Sequence, residues 1–247
     1  MRKILVFGNS HVGSLKAGLN NLDKKYFENI SFEFAAIAGK TFTEVYLENN
    51  QLKIPERELK RFSGVFGNIQ FPIDLDPYDY CVLVGAQILS PIEKLIPSER
   101  KFTYYSKKLI ENYIDNFFYL ENTRNKDLIS KLTKLFGSKV IIIPSPLRVL
   151  PLEDESKVDS TTESKFVAKQ INLIRSICDN LSKEKNKVSI LLPPEKLLEN
   201  NQLNTKQDYI RGGLKWDATE HNRKNDLRHM NADYGREIML SLIDKLN

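Results

Sequence analysis

Five short apolar runs punctuate the chain, and each ends in a small residue or a proline. Lys3–Gly8 (Lys-Ile-Leu-Val-Phe-Gly), Tyr80–Gly85, Lys139–Pro144 and Lys187–Pro193 are nearly continuous Val/Ile/Leu segments. Runs of that kind suit parallel strands covered on both faces. Ser31–Ala38 alternates instead, which predicts a strand with one more exposed face. Between the runs the apolar period changes to that of a helix. Val12, Leu15, Leu19 and Leu22 follow the first run, amphipathic segments lie near 103–118 and 126–136, and Val167 to Leu181 form one stripe in a segment opening at Glu163. Ala232–Leu246 predicts a last helix, with Asn231 as its N-cap. Alternation of strand and helix predicts one doubly wound α/β domain over residues 1–247. The stretches 40–78 and 194–230 are long for such a fold, and long loops tend to be lids or binding loops. No internal repeat or low-complexity segment interrupts the pattern.

Composition narrows the class. Of 247 residues, 41% are apolar and 28% charged, which is the balance of a globular chain with a core of its own. No apolar run approaches the length of a membrane span, and the opening Met1–Gly8 is too short for a signal-peptide core. A cytoplasmic protein is expected. Cys81 and Cys178 lie in apolar patterns and read as buried thiols rather than a disulfide or a nucleophile. A net charge of +5 is mild, and no basic stripe with interleaved aromatics points to nucleic acid.

Two short stretches carry the candidate chemistry. Gly8-Asn9-Ser10-His11 lies where the first strand turns into a helix, at the carboxyl edge of the sheet where α/β proteins bind ligands. A serine there has its backbone N–H at a helix N-terminus, which favours developing negative charge. It can equally be a simple helix cap. At the far end, Asp226-Leu-Arg-His229 immediately precedes the last helix. An aspartate three residues before a histidine can accept from imidazole Nδ1–H and leave Nε2 to take a proton from a serine.

The order of these motifs resembles that of the SGNH (GDSL-like) hydrolase superfamily, in its carbohydrate esterase and O-acyltransferase-like branch. The resemblance runs through short motifs spread over almost the whole chain. It implies a flavodoxin-like three-layer α/β/α sandwich with a mostly parallel sheet and a covalent Ser-His-Asp mechanism. Ser10 matches the nucleophile, and Asp226 and His229 match the terminal motif. Gly39, after the second strand, is similar to the isolated glycine of the oxyanion hole, and Gln87 in Gly85-Ala86-Gln87 stands where an oxyanion-hole asparagine is usual. The backbone N–H of Ser10 completes that hole. The chain departs from the pattern at Asn9, where aspartate is usual, at Gln87 itself, and at Ile88, where another aspartate is usual.

The resemblance also implies an O-acylated carbohydrate substrate, as in surface-polysaccharide pathways, processed by hydrolysis or by acyl transfer. Asn9, His11, Arg148, Trp216 and Arg228 are the candidate substrate-binding residues. The basic residues near the expected crevice favour an anionic small molecule or oligosaccharide. Three histidines and two cysteines without ligand spacing suggest neither a metal nor a cofactor. The competing expectation is a non-catalytic glycan-binding module on the same fold. A nucleotide binder is the weakest alternative, because Gly8–Gly13 lacks a glycine-rich phosphate loop.

Overall fold

A computed structural model of the chain describes residues 1–37, 39–59, 71–86, 126–146, 188–199, 205–210 and 229–247. The strands are β1 (Arg2–Gly8), β2 (Ile30–Ala36), β3 (Tyr46–Glu48), β4 (Gln51–Lys53), β5 (Ile73–Asp74), β6 (Tyr80–Ala86), β7 (Val140–Pro144) and β8 (Val188–Ile190). The longer helices are labelled α1 (Val12–Asn20), α2 (Lys126–Phe136) and α3 (Ala232–Leu246). Five of the strands form a parallel sheet in the order β2-β1-β6-β7-β8. Helices flank it in a three-layer α/β arrangement. The chain runs outward from β1 to β2, then crosses back to β6, so the order reverses between β1 and β6. That reversal opens a crevice at the carboxyl ends of these two strands.

The sheet divides the core by strand parity. Ile4, Val6, Val82, Val84, Ile141 and Ile143 face α1 and α3, where Val12, Leu15, Ile238, Leu242 and Leu246 are buried. Leu5, Phe7, Cys81, Leu83, Val140 and Ile142 face the other way, against Leu128 and Leu132 of α2. Each such side chain contributes roughly 1.5–3 kcal/mol on burial.

The 40–78 stretch, expected as a long loop, is structured in its described parts. β3, β4 and β5 form a small antiparallel sheet, and Leu47, Leu52, Ile54, Ile73 and Leu75 are buried in the second core. Strands of two or three residues with one inward side chain each give too little alternation to be seen as a period. The hairpin signal was instead Asn49-Asn50, both with positive φ (50° and 58°), as a two-residue β-turn of the primed type requires.

Other boundaries moved slightly. β2 ends at Ala36 and β8 spans only Val188–Ile190. Both are edge strands, and β8 runs toward Pro193-Pro194, which have no N–H to offer a ladder. The helices expected over 103–118 and 163–181, and Cys178, lie outside the described residues.

Candidate active site

The turn after β1 is built around Asn9. Its backbone N–H donates to the Val84 carbonyl (3.3 Å), and its own carbonyl accepts from Val12 N–H (3.1 Å). Its side-chain Oδ1 accepts from His11 N–H at 3.1 Å, an Asx-turn that encloses Ser10. Its Nδ2 donates to the Gly85 carbonyl at 3.0 Å, across the β1–β6 switch point. The side chain expected to meet substrate is therefore engaged with backbone on both of its polar atoms, and it shapes the turn. Ser10 lies at the head of α1, followed by His11 at the N-cap position.

His229 reaches this turn from the opposite end of the chain, and its Nε2 stands 2.9 Å from Ser10 Oγ. Three features fix that approach. Asn231, immediately ahead of α3, caps the helix as its pattern predicts, with Oδ1 accepting from Tyr234 N–H at 3.0 Å. Its Nδ2 donates to the Asp208 carbonyl (2.7 Å) and its backbone N–H to Tyr209 (2.9 Å). Met230 forms an antiparallel bridge with Ile210, so the segment before α3 is pinned to residues 208–210.

The third feature is the crossing of α1 and α3. A Cβ built on Gly235 would lie 1.7 Å from the Ser14 carbonyl oxygen, and one on Gly18 would lie 2.1 Å from the Arg236 nitrogen. The two helices thus touch backbone to backbone, and each carries its candidate residue just ahead of its first turn. Ser10 and His229 are 219 positions apart in sequence, yet their separation is set by this crossing. Gly235 belongs to Asn231-Ala-Asp-Tyr-Gly235, which resembles the segment opening the superfamily's last helix, whereas Gly18 drew no attention in the sequence; the signal for the crossing was a glycine on the inward stripe of each helix.

The His11 ring lies beside that of His229, with centroids 5.9 Å apart and planes at 40°. Two imidazoles thus lie side by side at the site, and that of His229 meets the Ser10 hydroxyl. Gly39 opens a helical turn, Gly39–Phe42, directly after β2 at the same edge of the sheet. Gln87, Asp226, Arg148, Trp216 and Arg228 lie outside the described residues.

Two further residues shape this edge: Gly85, which opens the Gly85-Ala86-Gln87 segment, and Ser145, which was not anticipated. Gly85 takes φ +83°, and the β6–β7 register shifts there, with Val84 opposite Ile143 and Ala86 opposite Pro144. Ser145, just after β7, donates its hydroxyl to the Gly85 carbonyl at 2.8 Å and its N–H to Ala86 at 3.0 Å. Val84-Gly-Ala in the sequence hinted at such a bulge, but its partner across the sheet could not be read.

Among the described residues no helix is long and apolar enough to cross a membrane. No family model and no curated protein matches the chain. Among solved structures it is similar to a candidate acylhydrolase from Bacteroides fragilis, at 12% identity and TM-score 0.43, over 99% of this chain and 86% of that one. It is similar also to a candidate platelet activating factor from Streptococcus pneumoniae, at 13% identity and TM-score 0.45, over 100% and 84%. A carbohydrate acetylesterase from Sinorhizobium meliloti gives 13% identity and TM-score 0.38, over 100% and 98%.

Proposed function

We propose that this chain is a serine-dependent acyl ester hydrolase or O-acyltransferase acting on an O-acylated carbohydrate. The observation that carries the reading is the 2.9 Å separation of Ser10 Oγ and His229 Nε2, placed at the crevice that the strand order creates. A serine hydroxyl within hydrogen-bond reach of an imidazole nitrogen is the pairing that makes a weak nucleophile competent.

As base, His229 carries its proton on Nδ1 and leaves Nε2 to accept. Asp226, three residues earlier, is the group we assign to hold Nδ1–H and to stabilise the imidazolium once formed. The Ser10 proton passes to Nε2 as Oγ bonds to the ester carbonyl carbon. The oxyanion so formed lies near the head of α1, where the helix dipole favours negative charge. Ser10 N–H, Gly39 N–H and the Gln87 amide are the proposed donors. Collapse breaks the bond to the alkoxy group, which leaves with the proton from Nε2. Water then attacks the acyl-serine in a hydrolase, and a sugar hydroxyl attacks in a transferase. His229 takes the attacker's proton in either case and returns it to Ser10 Oγ as the acyl–serine bond breaks.

Ser10→Ala tests the reading. The variant keeps the fold, since its Oγ is not part of the Asx-turn, and is expected to lose turnover of p-nitrophenyl acetate. Turnover equal to that of the parent protein would refute the assignment. Loss of nothing but glycan binding, with no ester turnover in either protein, would favour the binding-module alternative.

A further inference from the structure

We infer that Ser145 is a positioning residue for Ser10, acting through the Gly85 carbonyl that it shares with Asn9. The inference rests on the reading of Ser10 as nucleophile and assigns a role to a residue that this reading does not require.

The geometry converges on one oxygen. The Gly85 carbonyl accepts from Asn9 Nδ2 at 3.0 Å and from Ser145 Oγ at 2.8 Å. The ends of β1, β6 and β7 are therefore joined at a single acceptor. A carbonyl oxygen has two lone-pair directions, and here one is filled from each neighbouring strand. This is the point in the described sheet where β6 departs from regular register, and the departure uses a glycine at positive φ. A residue with a side chain is disfavoured there twice over. Positive φ is costly for any residue with a Cβ, and a Cβ on Gly85 would lie 2.1 Å from Asn9 Oδ1.

What the bulge achieves is to present a carbonyl to Asn9. Asn9 can hold Gly85 through Nδ2 and His11 N–H through Oδ1 at the same time, and the residue enclosed by that bracket is Ser10. The direction of the serine thus depends on an amide whose outer end is anchored on Gly85. Ser145 supplies the second hydrogen bond to that anchor, and its backbone N–H ties the same loop to Ala86. Without the Ser145 hydroxyl, the Gly85 peptide loses one of the two donors that fix its orientation. The bracket then slackens toward the face that carries Ser10. A hydroxyl of either serine or threonine meets the need, since each has one donor at the same branch point.

The same geometry accounts for asparagine at position 9, where the resemblance leads one to expect aspartate. A carboxylate has no proton for the Gly85 oxygen and would set two oxygens about 3 Å apart. Asparagine and the inward carbonyl form a matched pair, and Ser145 completes it.

The test is a series of Ser145→Ala, Ser145→Thr and Asn9→Asp in the full chain, with Ser10→Ala as reference. Each is assayed with p-nitrophenyl acetate well below its unfolding temperature. Hydrogen exchange is followed at the His11 and Val12 amides. A misplacement approaching 1 Å costs about a hundred-fold in rate, so Ser145→Ala is expected to lower kcat by roughly ten- to a hundred-fold. KM should hold within about two-fold, because no ground-state contact is removed. Ser145→Thr should recover most of kcat. Asn9→Asp should not, and Ser145→Ala should exchange faster at His11. Unchanged kcat in Ser145→Ala, or equal loss in the alanine and threonine variants, overturns the inference while leaving Ser10 as nucleophile. Full turnover by Ser10→Ala overturns the parent reading and the inference together.

Discussion

Gly235→Ala perturbs the site without touching it, and its effect can be worked from the helix crossing. The added methyl would sit 1.7 Å from the Ser14 carbonyl oxygen and 2.3 Å from its carbon, against 3.4 Å for ordinary contact. The obstructing atoms are backbone, so no rotamer change relieves the clash. The helices must part by roughly 1.5 Å or tilt. Overpacking of this kind costs about 1–3 kcal/mol or more, offset by about 1 kcal/mol from the better helix propensity of alanine. A net loss of about 1–2 kcal/mol lowers Tm by roughly 2–8 °C for a chain of this size.

The kinetic effect should be larger. Ser10 and His229 lie just ahead of the first turns of the two parted helices, and their 2.9 Å contact has little room before it exceeds hydrogen-bond reach. A loss of about a hundred-fold in kcat is expected. Initial rates with p-nitrophenyl acetate at 20 °C, read beside calorimetric Tm, measure both quantities. Gly18→Ala should behave alike, its Cβ falling 2.1 Å from the Arg236 nitrogen. The double variant should lose less than the sum, because the first separation makes room for the second methyl. Parental Tm and kcat in Gly235→Ala would refute the claim that this crossing sets the Ser10–His229 distance.

The remaining predictions concern local supports. Asn231→Ala removes the cap of α3 and should cost about 1 kcal/mol, visible as a lower urea midpoint at unchanged m-value. Leu242→Ala, from a fully buried position on α3, should cost roughly 2–5 kcal/mol in the same assay. Glu33 gives a pH test: burial pushes its carboxyl up, but hydrogen bonds from Lys3 and Tyr78 and the Lys3 charge outweigh burial and hold it below the usual range. A depressed carboxylate stabilises the fold above its unfolded pKa and loses that contribution as pH falls through the folded value. Glu33→Gln should therefore cost about 0.5–1 kcal/mol at pH 7, the scale of a partly exposed ion pair, and the difference should shrink as pH falls below the ordinary glutamate value of about 4.3. Urea midpoints at pH 7 and pH 3.5 check it, and an equal gap at both would count against the ion pair.

Much of the architecture was legible because it depends on local pattern. Continuous apolar runs gave β1, β6 and β7 within a residue or two, and Asn231 marked the head of α3. The Gly-Asn-Ser turn and the histidine before the last helix were legible as candidate chemistry, and the fold brings Ser10 and His229 within 2.9 Å. What escaped depends on pairs of backbones. The glycines at 18 and 235 mean little singly; their meaning is the closeness of two helices far apart in sequence. Gly85 and Ser145 meet only through a shift in strand register. Asn9 read as a substrate ligand because its residue type suits that role, whereas its two polar atoms are engaged by Gly85 and His11. The small sheet of β3–β5 was hidden by strands too short to show a period.

The central claim is that Ser10 is a nucleophile activated by His229. Its most direct test is covalent labelling by a fluorophosphonate, with the modified peptide identified by mass spectrometry in the parent protein and in His229→Ala. One adduct per chain on the peptide containing Ser10, formed at neutral pH and lost in His229→Ala, is the predicted result. A folded parent protein that remains unlabelled at Ser10, or one labelled equally fast without His229, would contradict the account.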